Sequence, residues 1–298
     1  MNHNKHNGKF MKNSSLTGLI TLEYVNTVIK ERPKDIHKGD CGKVLIIAGS
    51  VGMAGAAMLC ARGALRAGAG LVRISAPAEL YPILQVGVPE ATCVPREISL
   101  PEIEACNAAA IGPGLGDDEQ SIGLIRTILN NYKKTIVLDA DGINAISRAD
   151  LGQALRETKA EVIMTPHPGE AARFLRYMKA GDLSNVDRLQ VAELLAEKSK
   201  ATCVLKGSET LVTTKNGDSY TNTTGNPGMA AGGSGDVLTG IIAALAGQGL
   251  APEDCAKAGV FIHGMAGDLC AETYGETGMT SMDIANMTAL AFKKIIGK

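Results

Sequence analysis

The chain of 298 residues is long enough for one large domain or two small ones, and 30 Lys and Arg against 31 Asp and Glu give it a formal net charge of −1. Nucleic-acid binding through phosphate contacts requires a basic excess or a basic face, and neither is present, so the sequence argues against a nucleic-acid partner. Hydrophobic residues make up 45% of the chain but aromatic residues only 3%, which predicts an aliphatic core. The 35 glycines, about 12% of the residues against an average of roughly 7%, indicate a globular chain with many tight turns.

The cysteines and the apolar stretches bear on the compartment. None of the seven cysteines belongs to a C-x-x-C pair, the spacing of zinc and redox sites, so we expect buried, reduced thiols. The first ten residues are polar and contain no signal-peptide core. The most apolar long stretch, residues 44–61, is interrupted by glycine and serine, whereas a membrane helix needs about 20 predominantly apolar residues. We therefore expect a cytoplasmic protein without a membrane partner.

The predicted elements alternate between short apolar strands and helical segments. A flexible tail is expected over residues 1–15, followed by a single domain over residues 16–298. Strands are predicted at residues 43–48, 71–75, 108–111, 135–139, 161–165 and 202–206. Short, wholly apolar strands separated by helices are typical of a parallel sheet that is covered on both faces. The predicted fold class is α/β, doubly wound, with ligands at the carboxyl ends of the strands.

The most informative segment, residues 225–236, reads GNPGMAAGGSGD and directly precedes an apolar helical stretch. Its glycines expose backbone N–H groups at the positive end of the helix dipole, where a phosphate or an oxyanion is stabilised. Asp236, at the end of this segment, is suited to accept a proton from a substrate hydroxyl as a phosphoryl group arrives. Alternatively, Asp236 only caps the helix, but a cap does not account for four glycines among residues 228–236.

Seven motifs, in a fixed order, carry a resemblance to a known family. They are HKGD at 37–40 with GKVLIIAGS at 42–50, GAGLV at 68–72, GPGLG at 112–116, LDADG at 138–142, TPHPGE at 165–170, KGSET at 206–210 and NPGMAAGGSGD at 226–236. Together they resemble the ribokinase-like NAD(P)H-hydrate dehydratases, which repair hydrated nicotinamide cofactors. The resemblance covers about residues 30–298 and implies a single-domain, ribokinase-like fold with a central, mostly parallel sheet and helices on both faces. It also implies a stand-alone dehydratase, because the residues before His37 are too few for the epimerase domain of many relatives.

The resemblance implies a reaction as well as a fold. ADP or ATP, with Mg²⁺, phosphorylates the hydroxyl of the S-epimer of hydrated NADH or NADPH, and loss of phosphate, a better leaving group than hydroxide, restores the cofactor. Asp236 is the implied base and a substrate contact, and the implied anion hole comprises Gly232, Gly233, Ser234 and Gly235. The implied nucleotide contacts are Lys206, Gly207, Ser208, Glu209, Thr210 and Gly235, and the other substrate contacts are Ala56, Gly114 and His167. No metal ligand is assigned, and the family implies a homo-oligomer, with a tetramer favoured.

Three of these residues have alternative interpretations. Lys206 is alternatively a solvated charge at a strand end, and the adjoining Gly207 and the motif favour the nucleotide contact. His167, between two prolines, alternatively serves only a turn. Ala57 competes with Ala56 as the substrate contact at the start of its helix.

Other polar residues are left out of the predicted machinery, and two rival functions remain. His263, on an apolar helix, is expected to be a hydrogen-bonded core residue, while Asp139 and Asp141 are left out of catalysis with a Mg²⁺-linked role open. The first rival function is a small-molecule kinase of the same fold, of the hydroxyethylthiazole kinase type. The second is a nucleotide-binding regulator without turnover, which needs no positioned base. The sequence decides neither between ADP and ATP nor between the two hydrated cofactors.

Overall fold

The six predicted apolar strands all form, each within one residue of its predicted ends, in the computed structural model, which describes residues 15–297. With four shorter strands they are β1 (Gly18–Leu19), β2 (Lys43–Ile47), β3 (Leu71–Ser75), β4 (Thr92–Val94), β5 (Ala108–Ile111), β6 (Thr135–Leu138), β7 (Val162–Met164), β8 (Thr202–Leu205), β9 (Leu211–Thr213) and β10 (Ser219–Thr221). The α-helices in the same part of the chain are α1 (Leu22–Val28), α2 (Ala54–Arg66), α3 (Tyr81–Gly87), α4 (Leu100–Glu104), α5 (Glu119–Asn131), α6 (Ala140–Arg148), α7 (Gly152–Glu157), α8 (Pro168–Tyr177), α9 (Arg188–Ser199), α10 (Ser234–Gly247), α11 (Pro252–Tyr274) and α12 (Ser281–Ile296). The predicted tail, residues 1–15, lies outside the described residues apart from Ser15, so the tail and its boundary stay a prediction.

The strands form one sheet in the order β1-β10-β9-β8-β7-β6-β5-β2-β3-β4. Neighbouring strands are parallel except where β9 pairs antiparallel with β8 and with β10. Chain order runs in opposite directions from β2, towards β3 and β4 on one side and from β5 to β8 on the other. In a sheet of this kind, ligands bind at the carboxyl ends of the strands beside such a reversal, here between β2 and β5.

The sheet is covered on both faces, as its wholly apolar strands predicted. Within β2, Val44 and Ile46 join the core that contains α2, α10, α11 and α12, whereas Leu45 and Ile47 join the core that contains α5, α6, α8 and α9. Successive side chains of a strand point to opposite faces, so a strand between two helical layers has no polar face. The α/β, mostly parallel fold class is confirmed.

Helices α2 and α10 meet at backbone contact on the first of these faces. A Cβ atom at Gly240 would lie 1.9 Å from the carbonyl oxygen of Cys60, and one at Gly63 would lie 2.4 Å from the carbonyl oxygen of Val237. Neither position has room for a side chain, so the two glycines set the separation of the helices. This contact holds α10 against the sheet.

Two further expectations from the sequence concern the burial of the cysteines and membrane-spanning helices. All seven cysteines are free, and six of them are buried, as expected for reduced thiols. Within residues 15–297, no helix combines the length and the apolar character that a membrane crossing needs.

Candidate active site

The amino end of α10 carries the glycine-rich segment that stood out in the sequence. Gly233 precedes the helix with φ of +91°, and a Cβ there would lie 2.2 Å from Leu59 Cδ1, so only glycine fits. The N–H of Ser234 donates to Ala231 O at 3.2 Å. The N–H groups of Gly235 and Asp236 have no acceptor among the described residues, and they lie at the positive end of the helix dipole. This terminus can therefore bind an anion through backbone N–H groups.

Asp236 is the third residue of α10, and no side-chain hydrogen bond caps this helix. The capping interpretation is therefore wrong. In the described part of the chain, the carboxylate of Asp236 has no hydrogen-bond or ion-pair partner. Burial, together with the negative charge of Asp139, raises the pKa of Asp236 to about 7, while Lys206 opposes the shift. A carboxylate that titrates near neutral pH is suited to general-base catalysis.

Lys206, directly after β8, is paired inside the site. Its Nζ donates to Asp139 Oδ1 at 2.6 Å and lies 4.0 Å from Glu170 Oε2. Burial alone would lower the pKa of Lys206, but the charges of Asp139 and Glu170 raise it by more, so the ammonium stays charged. A Cβ at Gly235 would lie 3.2 Å from the Nζ atom. The interpretation of Lys206 as a solvated strand-end charge is wrong, since the lysine lies beside the amino end of α10.

Asp139 joins β6 to this cluster. Its side chain is 1% exposed, and its Oδ2 accepts a hydrogen bond of 2.8 Å from Thr239 Oγ1 of α10. With Lys206 on Oδ1, both oxygens of this carboxylate have partners. Asp139 thus connects strand β6, the lysine after β8 and helix α10, a role that the sequence analysis did not assign.

His167 caps α8 and also borders the site. Its Nδ1 accepts a hydrogen bond of 3.0 Å from the N–H of Gly169, and its own N–H donates to Glu170 Oε2 at 2.8 Å. His167 therefore does stabilise the turn that begins α8. The side chain is 51% exposed, and Glu170 links it to Lys206, so His167 also has a surface for a ligand. Its contact with substrate stays a prediction.

The two substrate contacts expected near α2 are neighbours. Gly114 has φ of +56°, and a Cβ there would lie 2.9 Å from Ala56 Cβ. Ala57 is fully buried and faces Gly49, whose Cβ would lie 3.1 Å from that of Ala57. This geometry favours Ala56 over Ala57, and binding of substrate by Ala56 and Gly114 stays a prediction.

The remaining predicted nucleotide contacts form the turn between β8 and β9. Gly207 has φ of +148°, Glu209 has φ of +52°, and Thr210 Oγ1 donates to Gly207 O at 2.9 Å. Arg188 of α9 donates to the carbonyl oxygen of Ser208. The turn is exposed except for Thr210, which is half-buried. Of these residues, only Lys206, at the start of the turn, reaches the carboxylates of Asp139 and Glu170.

Sequence reasoning missed several residues that build this site. Asp139 and Glu170 fall within two of the seven motifs, so a signal existed, whereas nothing in the sequence singled out Thr239 or Arg188. His263 is buried, with Nε2 3.3 Å from Ser234 Oγ, which confirms a hydrogen-bonded core histidine and places it against the first residue of α10. Within residues 15–297, no three or more His, Cys, Asp or Glu side chains are arranged to hold a metal ion.

The fold and the site together define a class of protein. A mostly parallel sheet whose carboxyl edge carries a helix terminus with free N–H groups, a carboxylate of raised pKa and a charged lysine is suited to phosphoryl transfer, and the fold is that of the ribokinase-like proteins. More closely, the chain belongs to the NAD(P)H-hydrate dehydratase family, whose model matches residues 44–289. The resemblance drawn from the motifs is thereby confirmed.

Individual relatives agree with this membership. The chain is 38% identical over 277 residues to a bifunctional NAD(P)H-hydrate repair enzyme of Thermofilum pendens, covering 89% of this chain and 52% of the relative. It is 37% identical over 261 residues to the ADP-dependent (S)-NAD(P)H-hydrate dehydratase of Neisseria meningitidis, covering 87% of each. A crystal structure of the ADP/ATP-dependent NAD(P)H-hydrate dehydratase of Bacillus subtilis, co-crystallised with ATP and Mg²⁺, superposes with a TM-score of 0.78 at 30% identity, covering 93% of this chain and 98% of that one. The chain spans about half the length of the bifunctional relatives.

Proposed function

We propose that this protein dehydrates the S-epimer of hydrated NADH and NADPH, using ADP or ATP as phosphoryl donor. Membership of the NAD(P)H-hydrate dehydratase family supports the proposal, as does the name of the Neisseria relative. The observation that carries it is the Asp236 carboxylate, which has a pKa of about 7 and lies in the first turn of α10 beside N–H groups that have no acceptor within residues 15–297.

The proposed chemistry has two steps. Asp236 accepts the proton of the ring hydroxyl while the hydroxyl oxygen attacks the terminal phosphorus of ADP, so that a new O–P bond forms and AMP leaves. The carbon–oxygen bond of the phosphorylated hydrate then breaks, phosphate departs, and a proton lost from the adjacent carbon restores the double bond of NADH. No oxidant or reductant is needed. The N–H groups at the amino end of α10 stabilise the charge that the transferring phosphoryl group carries.

Lys206 and the turn that follows it would hold the donor. The ammonium, kept charged by Asp139, lies beside Gly235, so it can neutralise the donor's phosphates at the point where transfer occurs. Gly207, Ser208, Glu209 and Thr210 extend from it along the exposed turn. On this arrangement Ala56, Gly114 and His167 contact the hydrated dinucleotide on the side of β5 and α8.

Mg²⁺ is part of the proposal because the Bacillus relative was crystallised with ATP and Mg²⁺. The carboxylate oxygens of Asp139, Asp141 and Glu170 all have partners, so in the described chain Asp236 is the one member of this acidic group without any. Mg²⁺ normally keeps several waters and binds through one or two carboxylates plus substrate phosphates. A single unpartnered carboxylate, that of Asp236, is consistent with a Mg²⁺ ion that is bound mainly by the phosphates of the nucleotide. When bound, such an ion would neutralise phosphate charge.

The proposal extends to assembly and compartment. We expect a homotetramer in the cytoplasm whose partners are small molecules, with neither nucleic acid nor membrane among them. Family resemblance supports the tetramer, and light scattering coupled to gel filtration measures it directly. A monomer or a dimer at micromolar concentration would contradict this part of the proposal and leave the reaction untouched.

The test is a stoichiometric assay with chemically hydrated NADH, ADP and Mg²⁺. We expect the near-ultraviolet absorbance of NADH to return, with AMP, phosphate and NADH formed in equal amounts and only background conversion without nucleotide. A phosphorylated dinucleotide that accumulates while no NADH forms would identify a kinase of the same fold. NADH that appears without matching AMP would contradict phosphorylation followed by elimination.

Asp236→Asn is the matched control, because the amide is nearly isosteric but cannot accept the proton. General-base catalysis typically contributes roughly 10² to 10⁴-fold, so turnover should fall by at least about 100-fold while calorimetric titration still detects ADP binding. A variant that keeps more than about a tenth of the wild-type rate would remove Asp236 from this role.

A further inference from the structure

The middle of α11 packs against the glycine loop, which we define as residues 224–233. The helix residues on this face are His263, Gly264, Gly267 and Asp268. Two glycines permit the close approach, because a Cβ at Gly264 would lie 2.1 Å from Thr224 Oγ1 and one at Gly267 would lie 2.2 Å from Met229 Sδ. The glycine loop therefore lies directly on α11, with no space for side chains at these two helix positions.

Hydrogen bonds from α11 hold both ends of the segment that leads into the anion hole. At the start of the loop, Asp268 accepts from the N–H of Gly225 at 3.0 Å and from the side-chain amide of Asn226 at 3.1 Å. At the far end, His263 Nε2 lies 3.3 Å from the hydroxyl of Ser234, the first residue of α10. Gly225 and Ser234 are nine positions apart in the chain, whereas Asp268 and His263 are five positions apart in the helix.

The contact between His263 and Ser234 lies in the protein interior. Both residues are 8% exposed, and the Ser234 hydroxyl is directed at the buried imidazole. Burial lowers the pKa of His263 to about 4, and the imidazole is therefore neutral at physiological pH, with one ring nitrogen as donor and the other as acceptor. The next two residues after this anchor are Gly235 and Asp236, which carry the free N–H groups and the carboxylate described above.

We propose that His263 is a positioning residue for phosphoryl transfer: by fixing Ser234 from behind, it orients the N–H groups and the carboxylate at the amino end of α10. The inference deepens the proposed function and depends on it for its kinetic consequences. His263 is buried and contacts Ser234, so it would act through that residue, while Asp268 fixes the start of the same loop. Catalytic groups displaced by about 1 Å commonly lose about 100-fold in rate, which sets the scale of the expected effect.

The experiment compares His263→Ala, His263→Gln, Ser234→Ala and the double variant His263→Ala/Ser234→Ala in the full-length protein. We expect His263→Ala to lower kcat by about 10- to 100-fold with the Kd for ADP within about twofold of wild type. The glutamine amide can occupy the position of Nε2, so His263→Gln should recover most of the lost kcat. Because the two residues act as one contact, the double variant should be little worse than either single variant.

Cys255→Ala is the control for a merely structural effect. Cys255 is fully buried in the first turn of α11, with Sγ 3.4 Å from Leu250 O, far along the helix from the glycine loop. This change should lower the unfolding temperature and leave kcat per folded molecule unchanged. If His263→Ala behaves in the same way, His263 only stabilises the fold and the proposal is overturned. Additive losses in the double variant would likewise overturn it.

A second readout does not depend on the reaction. Hydrogen exchange of the backbone amides of Ser234 and Val237, which donate to Ala231 O and Gly233 O, should be faster in His263→Ala than in wild type or Cys255→Ala, because the helix terminus is no longer held. Unchanged exchange there overturns the positioning role. If wild type fails to restore NADH from its hydrate, the proposed function has failed, and the exchange comparison still decides whether His263 positions this terminus.

Discussion

Burial and the charge of Asp139 raise the pKa of Asp236 to about 7, far above the ordinary value of 3.8. The raised pKa means that the folded state binds a proton more tightly than the unfolded chain between about pH 4 and pH 7. Loss of that proton therefore weakens the fold as pH rises through this window, and the full cost applies above pH 7. Residues that are tuned for catalysis commonly reduce stability in this way.

At the residue scale, Asp236→Asn should make the ligand-free protein more stable at pH 8, because asparagine is never charged. The pKa shift corresponds to a gain on the order of 2 kcal/mol once solvent screening of this partly exposed group is allowed for. The difference in unfolding temperature between variant and wild type should shrink as pH falls from 7 towards 4. Thermal unfolding across this range measures it, and a variant that is less stable than wild type at pH 8 would contradict the assignment.

The neighbours of Asp236 make a second prediction at this scale, about the pH dependence of kcat. The rate should fall below an apparent pKa near 7, where Asp236 becomes protonated. Asp139→Asn removes a charge that raises this pKa, so the acid limb should move to lower pH, whereas Lys206→Ala should move it to higher pH, each by roughly half to one unit. Both variants will be slow, and only the position of the limb is compared. Shifts in the same direction for both would show that the limb does not report Asp236.

At the scale of elements, the contact between α2 and α10 fixes the position of the helix that carries Asp236. Gly63 and Gly240 bring the two backbones together, and α10 carries Gly235 and Asp236 in its first turn. Leu59 of α2 reaches the same terminus, where its Cδ1 fills the space beside Gly233. A displacement of α10 would therefore move the carboxylate of Asp236 as well as the core.

Gly240→Ala should destabilise the protein, because the new methyl group would lie 1.9 Å from the carbonyl oxygen of Cys60, a backbone atom that cannot move alone. Overpacking of this kind typically costs about 1–3 kcal/mol. The control is Gly123→Ala in α5, where a Cβ meets nothing within 4 Å. There alanine should raise the free energy of unfolding by about 0.5–1 kcal/mol. Urea unfolding of both variants makes the comparison. If the two variants were equally stable, α2 and α10 would have to move apart at this contact at no cost in free energy.

At the scale of the whole molecule, the two helical layers enclose the cysteines. Burial raises the pKa of Cys203 to about 12 and, together with the charge of Asp283, that of Cys270 to about 11, so these thiols are protonated at neutral pH. Cys93 is the one cysteine of the seven that is not buried. We expect a thiol reagent such as Ellman's reagent to label at most one site rapidly in the native protein and all seven in denaturant. Rapid labelling of three or more native thiols would show that a layer opens readily.

Most of the fold followed from local patterns. The strand positions were predictable because wholly apolar runs bounded by glycine leave few alternatives to a doubly covered parallel strand. The short strands β1, β4, β9 and β10 were missed, since two or three residues carry too little pattern to distinguish a strand from a loop. Gly233 and Asp236 were predictable for a similar reason, because the left-handed backbone and the helix start are encoded within a few neighbouring residues.

The sequence by itself determined which residues could form strands, where the chain had to turn and which segment offered N–H groups to an anion, since all of these depend on neighbours in the chain. Only the tertiary structure decided what surrounds Asp236. The ion pair of Lys206 with Asp139 joins residues 67 positions apart, and the hydrogen bond from Thr239 to Asp139 joins residues 100 positions apart. These pairs exist because the sheet places β6 and β8 on either side of β7, while α10 packs against β5 and β6. Burial and electrostatic neighbours arise from such distant contacts, so the pKa of Asp236 and the contact of His263 with Ser234 could not be predicted before the chain was folded.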